Sequence, residues 1–403
     1  MTLVIQDDLL DGQLLRVLGS APYGGADIGE CIATARLVDL KNPVESWYEQ
    51  WLALAERVLD LAAHAEDTQS ARAAYLRASN YLRAAGSILM GVPLDQRLVD
   101  SNARQADAFR RGVALLESPP EIVQIPFGDI TLPGYWFTID DAPRPTLILL
   151  GGYDSCAEEC YFFNGAAGLA RGYNVLAFDG PGQGAVLLQQ GVVMRPDWEN
   201  VLPPVVDWLL TKPQVDASKV ALVGLSLGAH LAPRAASGEH RFAACVADCG
   251  TFDMYATFLS RLPEQVRGPY EAGDAQTVAG VSQMLDQMAA QPTAGWSMRR
   301  NLLVHGVDSP AAYIELTKDY TLKGRAANIT CPTFVCNAEN DSISNSAPDL
   351  VAALTCPKEF VTFTAAEGAG DHCEAGARLL YHARSSAGCR LFWASRVGPA
   401  PGG

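Results

Sequence analysis

Six short apolar runs most constrain what this chain can fold into: PTLILL (145–150), YNVLAF (173–178), KVALVG (219–224), AACVAD (243–248), PTFVCNA (332–338) and KEFVTFT (358–364). They are continuous rather than alternating, so each is expected to be covered on both faces. Helical stretches separate them, which predicts a mostly parallel, doubly wound α/β sheet. Upstream, EIVQIPF and ITLPGYWFT read as a hairpin turning at Gly128–Asp129. Between Asp248 and Pro332 no strand pattern recurs. That interval leaves room for a helical insertion at about 251–328, where a lid over a cleft would sit.

Residues 1–118 follow a different period and read as an N-terminal helical domain. Asn42 at the N-cap, Pro43 and Glu45 open one helix. Trp47, Trp51, Leu54, Val58 and Leu61 form its expected apolar stripe. A second helix carries Tyr75, Ala78, Leu82, Ala85 and Leu89 inward and is expected to end at Gly91. A third runs from about Asp95 to Glu117, with Ala106, Phe109, Val113 and Leu116 inward. The sequence SPP at 118–120 marks the boundary to a catalytic domain at 119–395. Residues 396–403 are expected to be a flexible tail.

The formal net charge of −15 argues against a phosphate-backbone partner and against an anionic membrane surface. The start, MTLVIQDDLL, lacks a basic region and a long apolar run, and no apolar run is long enough for a transmembrane helix. A cytoplasmic enzyme is expected. The ten cysteines are scattered. Cys156/Cys160 and Cys245/Cys249 have a CxxxC spacing that fits buried, reduced core thiols better than disulfides or zinc.

The chemistry centres on Gly224-Leu225-Ser226-Leu227-Gly228, a G-x-S-x-G run directly after a strand and directly before a helix. In that setting the serine sits on a sharp turn with its hydroxyl exposed above the sheet. The Leu227 amide, at a helix start, is free to stabilise an oxyanion. A serine nucleophile needs a base, and the base an orienting acid. Asp341 and Glu339 both lie in the polar loop after PTFVCNA; Asp341 is preferred, with Glu339 as fallback. His372 follows the last strand on a glycine-rich loop. His64, His230, His240, His305 and His382 do not.

The second oxyanion donor is expected from GGYDSCAEE, at the Tyr153 amide. Asp154 in the same loop could face the site as an extra acid or cap the next helix. DGPGQG (179–184) lacks the features of a phosphate loop and reads as a tight turn at the cleft rim. Asp371, His372, Cys373 and Glu374 are four adjacent candidate metal ligands. Neighbouring side chains on a short loop diverge, however, so one catalytic histidine is expected there, with no metal and no cofactor.

These motifs together resemble the α/β-hydrolase superfamily. GGYDS, FDGPGQG, GLSLGA, NAENDSI and GAGDHCEAG, preceded by the helical ARAAYLRASNYLRAAG, are similar to a narrower group. That group includes 2,6-dihydroxypseudooxynicotine hydrolase, the fungal hydrolases that shorten polyketide precursors, and FrsA-like esterases. The resemblance implies a Ser226–Asp341–His372 triad, walls built by the N-terminal helices and the insertion, and cleavage of an ester or of a C–C bond beside a ketone. It also implies a helping acid after the sixth strand, at Asp253 rather than Asp248. Ala229-His230 departs from the glycine-rich continuation common after the nucleophile. A small, partly apolar carbonyl compound is the expected substrate, and exposed faces of the N-terminal helices could support a homodimer. Elimination or cyclisation on the same fold is the alternative. A peptidase or an inactive binding protein ranks lower.

Overall fold

The computed structural model describes residues 3–394; the expected tail at 396–403 lies outside them. One eight-stranded sheet forms the centre, in the order β1-β2-β4-β3-β5-β6-β7-β8. The strands are β1 (Glu121–Phe127), β2 (Ile130–Phe137), β3 (Arg144–Leu150), β4 (Asn174–Phe178), β5 (Val215–Leu225), β6 (Ala244–Asp248), β7 (Thr333–Ala338) and β8 (Lys358–Phe363). All six apolar runs are therefore strands, and β3 through β8 pair in parallel. The hairpin turns where expected, with Phe127 opposite Ile130 and Gly128 at φ 56°. β4 and β6 are buried throughout. β8 is not: as an edge strand it alternates, and Phe360 is exposed.

The order of the strands locates the site. From β3 the chain steps to β4 on one side and then returns past β3 to β5 on the other. The strand order therefore reverses at β3, and the carboxyl ends of β3 and β5 are the usual ligand position in open α/β sheets.

The N-terminal region holds five helices: α1 (Asp8–Leu18), α2 (Ile28–Ala35), α3 (Pro43–Ala63), α4 (Thr68–Ser87) and α5 (Gln96–Val113). Sequence periodicity picked out the last three. α1 and α2 are too short for a stripe to emerge from their composition. Trp47, Trp51, Leu54 and Val58 face inward on α3, but Leu61 is 57% exposed. The stripe advances by four residues there, and Ala62 takes the inner place. Asn42 stands before α3 without a side-chain cap bond. α4 ends at Ser87, short of Gly91. From Ala78 to Ser87 every residue of α4 is buried. The helix is enclosed by α3, where Trp47 Nε1 donates to Ala84 O at 2.8 Å, and by the insertion, where Trp296 Nε1 donates to Ser87 O at 3.0 Å.

Between β6 and β7 lie five helices: Met254–Arg261, Glu264–Glu271, Ala275–Ala289, Trp296–His305 and Pro310–Leu316. They occupy the stretch where the sequence left room for an insertion. No helix among the described residues is long and apolar enough to cross a membrane.

Candidate active site

β5 ends at Leu225, and Ser226 follows at φ 58°, a left-handed conformation that is costly for a residue with a side chain. The flanking glycines make the turn fit. A Cβ at Gly224 would lie 1.9 Å from Gly228 O, and one at Gly228 would lie 2.4 Å from Leu150 O. Neither position tolerates any other residue without moving backbone. The Ser226 amide donates to Asp248 O at 3.1 Å, pinning the turn to the end of β6.

The loop after β8 brings His372 over this turn. Asn340 N donates to Gly370 O at 2.8 Å, so the loops after β7 and β8 are stitched together. His372 Nε2 is 2.8 Å from Ser226 Oγ, and His372 Nδ1 is 2.7 Å from Asp341 Oδ2. Asp341 is held by the amides of Ile343 and Ser344 on its other oxygen. An ionised carboxylate only accepts hydrogen bonds, so Nδ1 carries the proton and Nε2 is left to accept from Ser226. Glu339, the fallback acid, instead accepts from the Ala365 amide at 2.7 Å. Burial raises the Asp341 pKa, but the adjacent imidazole outweighs it and the net shift is downward. Burial alone would lower that of His372; the Cys373 sulfur and the Asp341 carboxylate outweigh it and hold it well above the ordinary imidazole value.

Opposite His372 runs the loop after β3. Gly152 packs on the serine: a Cβ there would lie 2.8 Å from Ser226 Cβ. The Tyr153 and Leu227 amides make no hydrogen bond to another described residue. Gln183, from the DGPGQG turn, donates through Nε2 to Gly151 O at 2.6 Å and to Gly152 O at 3.2 Å. Sequence reading treated this turn as a rim and missed its bracing role. A polar side chain inside a glycine-rich turn was the available signal. The Tyr153 ring reaches the insertion, with its hydroxyl 2.9 Å from Tyr313 Oη and 3.3 Å from His305 Nε2.

The two candidate auxiliary acids are engaged away from Ser226 and His372. Asp154 pairs with Arg16 of α1 and with Arg300 of the insertion. Asp253 caps the helix at Met254–Arg261 through the Ala256 amide and accepts from Thr321 Oγ1 at 2.8 Å. Neither carboxylate has Ser226 or His372 as a partner. Asp248, set aside in favour of Asp253, is fully buried against Arg378, with Nη1 2.9 Å from its Oδ2.

The stretch 371–374 splits by burial. Asp371 is exposed, while Cys373 and Glu374 turn inward at positive φ. Cys373 meets Cys249, whose Sγ accepts from the Cys373 amide at 3.0 Å. Ligand atoms of Cys249, His372 and Cys373 lie within 4.8 Å of one another, as do those of Asp248, Cys249 and Glu374. The first trio could hold a soft metal. The second already has a cation beside it, because Arg378 Nη1 lies 3.7 Å from Glu374 Oε2 as well as against Asp248. The nine cysteines whose side chains are described are buried, with no disulfide among them.

Residues 132–380 match the family described as "Alpha/beta hydrolase family". The chain is 34% identical over 394 residues to hydrolase LUC6 of Fusarium sp, covering 92% of this chain and 93% of that protein. It is 32% identical over 401 residues to 20-hydroxy-prefusarin hydrolase FUS2 of Gibberella moniliformis, covering 94% and 95%. Hydrolyase poxO of Penicillium oxalicum is 36% identical over 355 residues, covering 83% of each. Among solved structures, 2,6-dihydroxy-pseudo-oxynicotine hydrolase shares the fold with a TM-score of 0.72 at 22% identity, over 95% of this chain and 98% of that one.

Proposed function

The chain belongs to the alpha/beta hydrolase family, and on that premise we propose that it is a serine hydrolase of secondary metabolism. It cleaves an ester, or a C–C bond beside a ketone, in a small and partly apolar molecule. The observation that carries this reading is the hydrogen-bonded chain Asp341–His372–Ser226 beneath two unpaired amides.

In the first half-reaction Ser226 Oγ attacks the carbonyl carbon as its proton passes to His372 Nε2. Asp341 stabilises the imidazolium and keeps its orientation. The Leu227 and Tyr153 amides donate to the oxyanion. Collapse expels an alkoxide, or an enolate, which takes the proton back from His372 and leaves as an alcohol or a ketone. Water, activated by the same imidazole, then releases the acid from Ser226. Neither half-reaction needs a cofactor.

The relatives' names support the reading of the substrate class. A relative named 20-hydroxy-prefusarin hydrolase aligns over 94% of this chain, which supports a secondary metabolite as the substrate. A second reading rests on the name hydrolyase carried by the relative from Penicillium oxalicum. There His372 would remove a proton from carbon and water would leave.

Intact mass after treatment with a fluorophosphonate tests the nucleophile. One adduct, lost in Ser226→Ala, is expected. An adduct that persists in that variant sinks the assignment. Turnover in ¹⁸O-labelled water separates the readings: hydrolysis puts the label in the product acid, elimination does not.

A further inference from the structure

Among the described residues, two trios of side chains bring metal-binding atoms together. Asp248, Cys249 and Glu374 already have the Arg378 guanidinium beside them. Cys249, His372 and Cys373 differ in kind. Two sulfurs and an imidazole lie within 4.8 Å of one another, and that donor set is the one zinc favours.

The expectation that neighbouring side chains diverge holds for Asp371, which is exposed, and fails for the next two residues. Cys373 stands at φ 53°, a left-handed turn, with its side chain in the interior. Cys249 is left-handed too, at φ 65°. The backbone of each is anchored: Ser344 Oγ donates to Cys249 O at 2.8 Å, and Arg378 Nη1 donates to Cys373 O at 2.7 Å. The Cys373 amide ties the pair together by donating to Cys249 Sγ at 3.0 Å. Phe163 and Leu225 complete their buried cluster.

A tetrahedral site with sulfur at about 2.3 Å and nitrogen at about 2.0 Å sets its ligand atoms roughly 3.5–3.8 Å apart. The trio therefore has to close by little more than about 1 Å. Two thiolates balance a divalent cation, so the filled site is neutral and suits burial. Magnesium and calcium favour oxygen and are poorly served by it. The His372 side chain is 26% exposed, so the trio opens on the cleft.

We propose that Cys249, His372 and Cys373 form a zinc-type site that takes up a soft divalent cation and switches the hydrolase off. His372 has no spare nitrogen, because Nδ1 is 2.7 Å from Asp341 Oδ2 and Nε2 is 2.8 Å from Ser226 Oγ. Whichever nitrogen turns to the metal, one bond of the triad is lost. Both thiols release a proton on binding, the imidazole binds in its neutral form, and no electrons move. Water fills the fourth position. The metal is an inhibitor and takes no part in turnover. Its inhibition rests on the hydrolase reading; its binding does not.

Cobalt(II) is the probe, because its thiolate complexes absorb in the near ultraviolet. Titration of the reduced native protein should develop that band at one equivalent. Fluorophosphonate labelling of Ser226 should be blocked in parallel, and EDTA should reverse both effects. Cys249→Ser keeps an acceptor for the Cys373 amide and removes one thiolate. Loss of even an outer partner of a metal site costs about 10–100-fold in affinity. The zinc concentration that halves the labelling rate should thus rise by about a hundredfold or more in the variant, each protein being measured against its own metal-free rate. Three results overturn the proposal: no thiolate band in the native protein, full-rate labelling of the cobalt-loaded protein, or an unchanged band and zinc sensitivity in Cys249→Ser. Should that variant fail to fold, anomalous diffraction from a zinc-soaked native crystal decides. A peak between the two sulfurs and the ring supports the site, and a peak elsewhere or none overturns it. The cobalt band does not depend on Ser226, so a protein that shows it yet never reacts with fluorophosphonate keeps the metal site and loses the nucleophile.

Discussion

Gly152 lies so close to Ser226 that a Cβ on the glycine would stand 3.1 Å from the serine Oγ. The loop after β3 and the turn after β5 are in contact through backbone, with no side chain between them. Gly152→Ala therefore wedges the oxyanion donors away from the nucleophile. The expected outcome is a fall in kcat of about 10²–10³-fold, the usual loss for one such donor. Steady-state kinetics and the rate of fluorophosphonate labelling check it, and the melting temperature reports whether folding is spared.

The choice of acid can be decided directly. Asp341→Asn leaves the shape but removes the charge that fixes the Nδ1–H tautomer, so kcat should drop by roughly 10⁴-fold. Glu339→Gln changes only a contact to the Ala365 amide. Its activity should stay within a few-fold of native. A larger loss from Glu339→Gln than from Asp341→Asn would reverse the assignment.

The pH profile follows from the neighbours of His372. Its neutral form is the base, so kcat/KM should rise with pH through its pKa. Burial pulls that pKa down, but the Cys373 sulfur and Asp341 prevail and move it above 6.5. The acidic limb should thus lie on the alkaline side of an ordinary histidine. Cys373→Ala removes one of the two opposing influences, and the limb should shift to lower pH with the alkaline plateau retained.

A fourth measurement concerns Arg16. Arg16→Ala leaves Asp154 with Arg300 alone and Glu159 with Arg83 and Ser155, and loss of the main partner of two buried acids costs up to about 3–5 kcal/mol. Burial raises the pKa of each acid, but Arg16 prevails and both are depressed in the native fold. Their stabilisation is present above the unfolded carboxylate pKa and is lost as pH falls through the folded one. In the variant these acids, held by fewer cations, bind protons at higher pH. The gap in melting temperature between native protein and Arg16→Ala should be widest near neutrality and should narrow as pH is lowered. Thermal unfolding across pH checks this.

What sequence could reveal depended on the range of the signal. Strands β3 to β7 announce themselves as continuous apolar runs because both their faces are buried, and β8 keeps an apolar run although it alternates at the sheet edge. Ser226 was legible because its turn demands glycine at both flanks, and His372 because only one histidine follows the last strand on a loop. Leu61 was misplaced by one position because a stripe continues equally well three or four residues on. The pairings that brace the site left no such trace. Arg16 meets Glu159 across 143 positions, and Cys249 meets Cys373 across 124. No period or motif connects residues that far apart. For the same reason Asp154 and Asp253 looked like candidates for chemistry, when their partners turn out to be Arg16, Arg300 and a helix start.

The Arg16 contact also bears on how the protein comes to exist. Arg16 leaves the ribosome more than a hundred residues before the acids it will neutralise. The cation thus comes from the chain's first helix and the acids from a loop of the sheet. A catalytic domain cut free at residue 118 would have to assemble the Gly151–Glu159 segment around two acids with no Arg16 to receive them. The first helix thus acts as a keystone for the loop beside Ser226, held in place from the far end of the sequence.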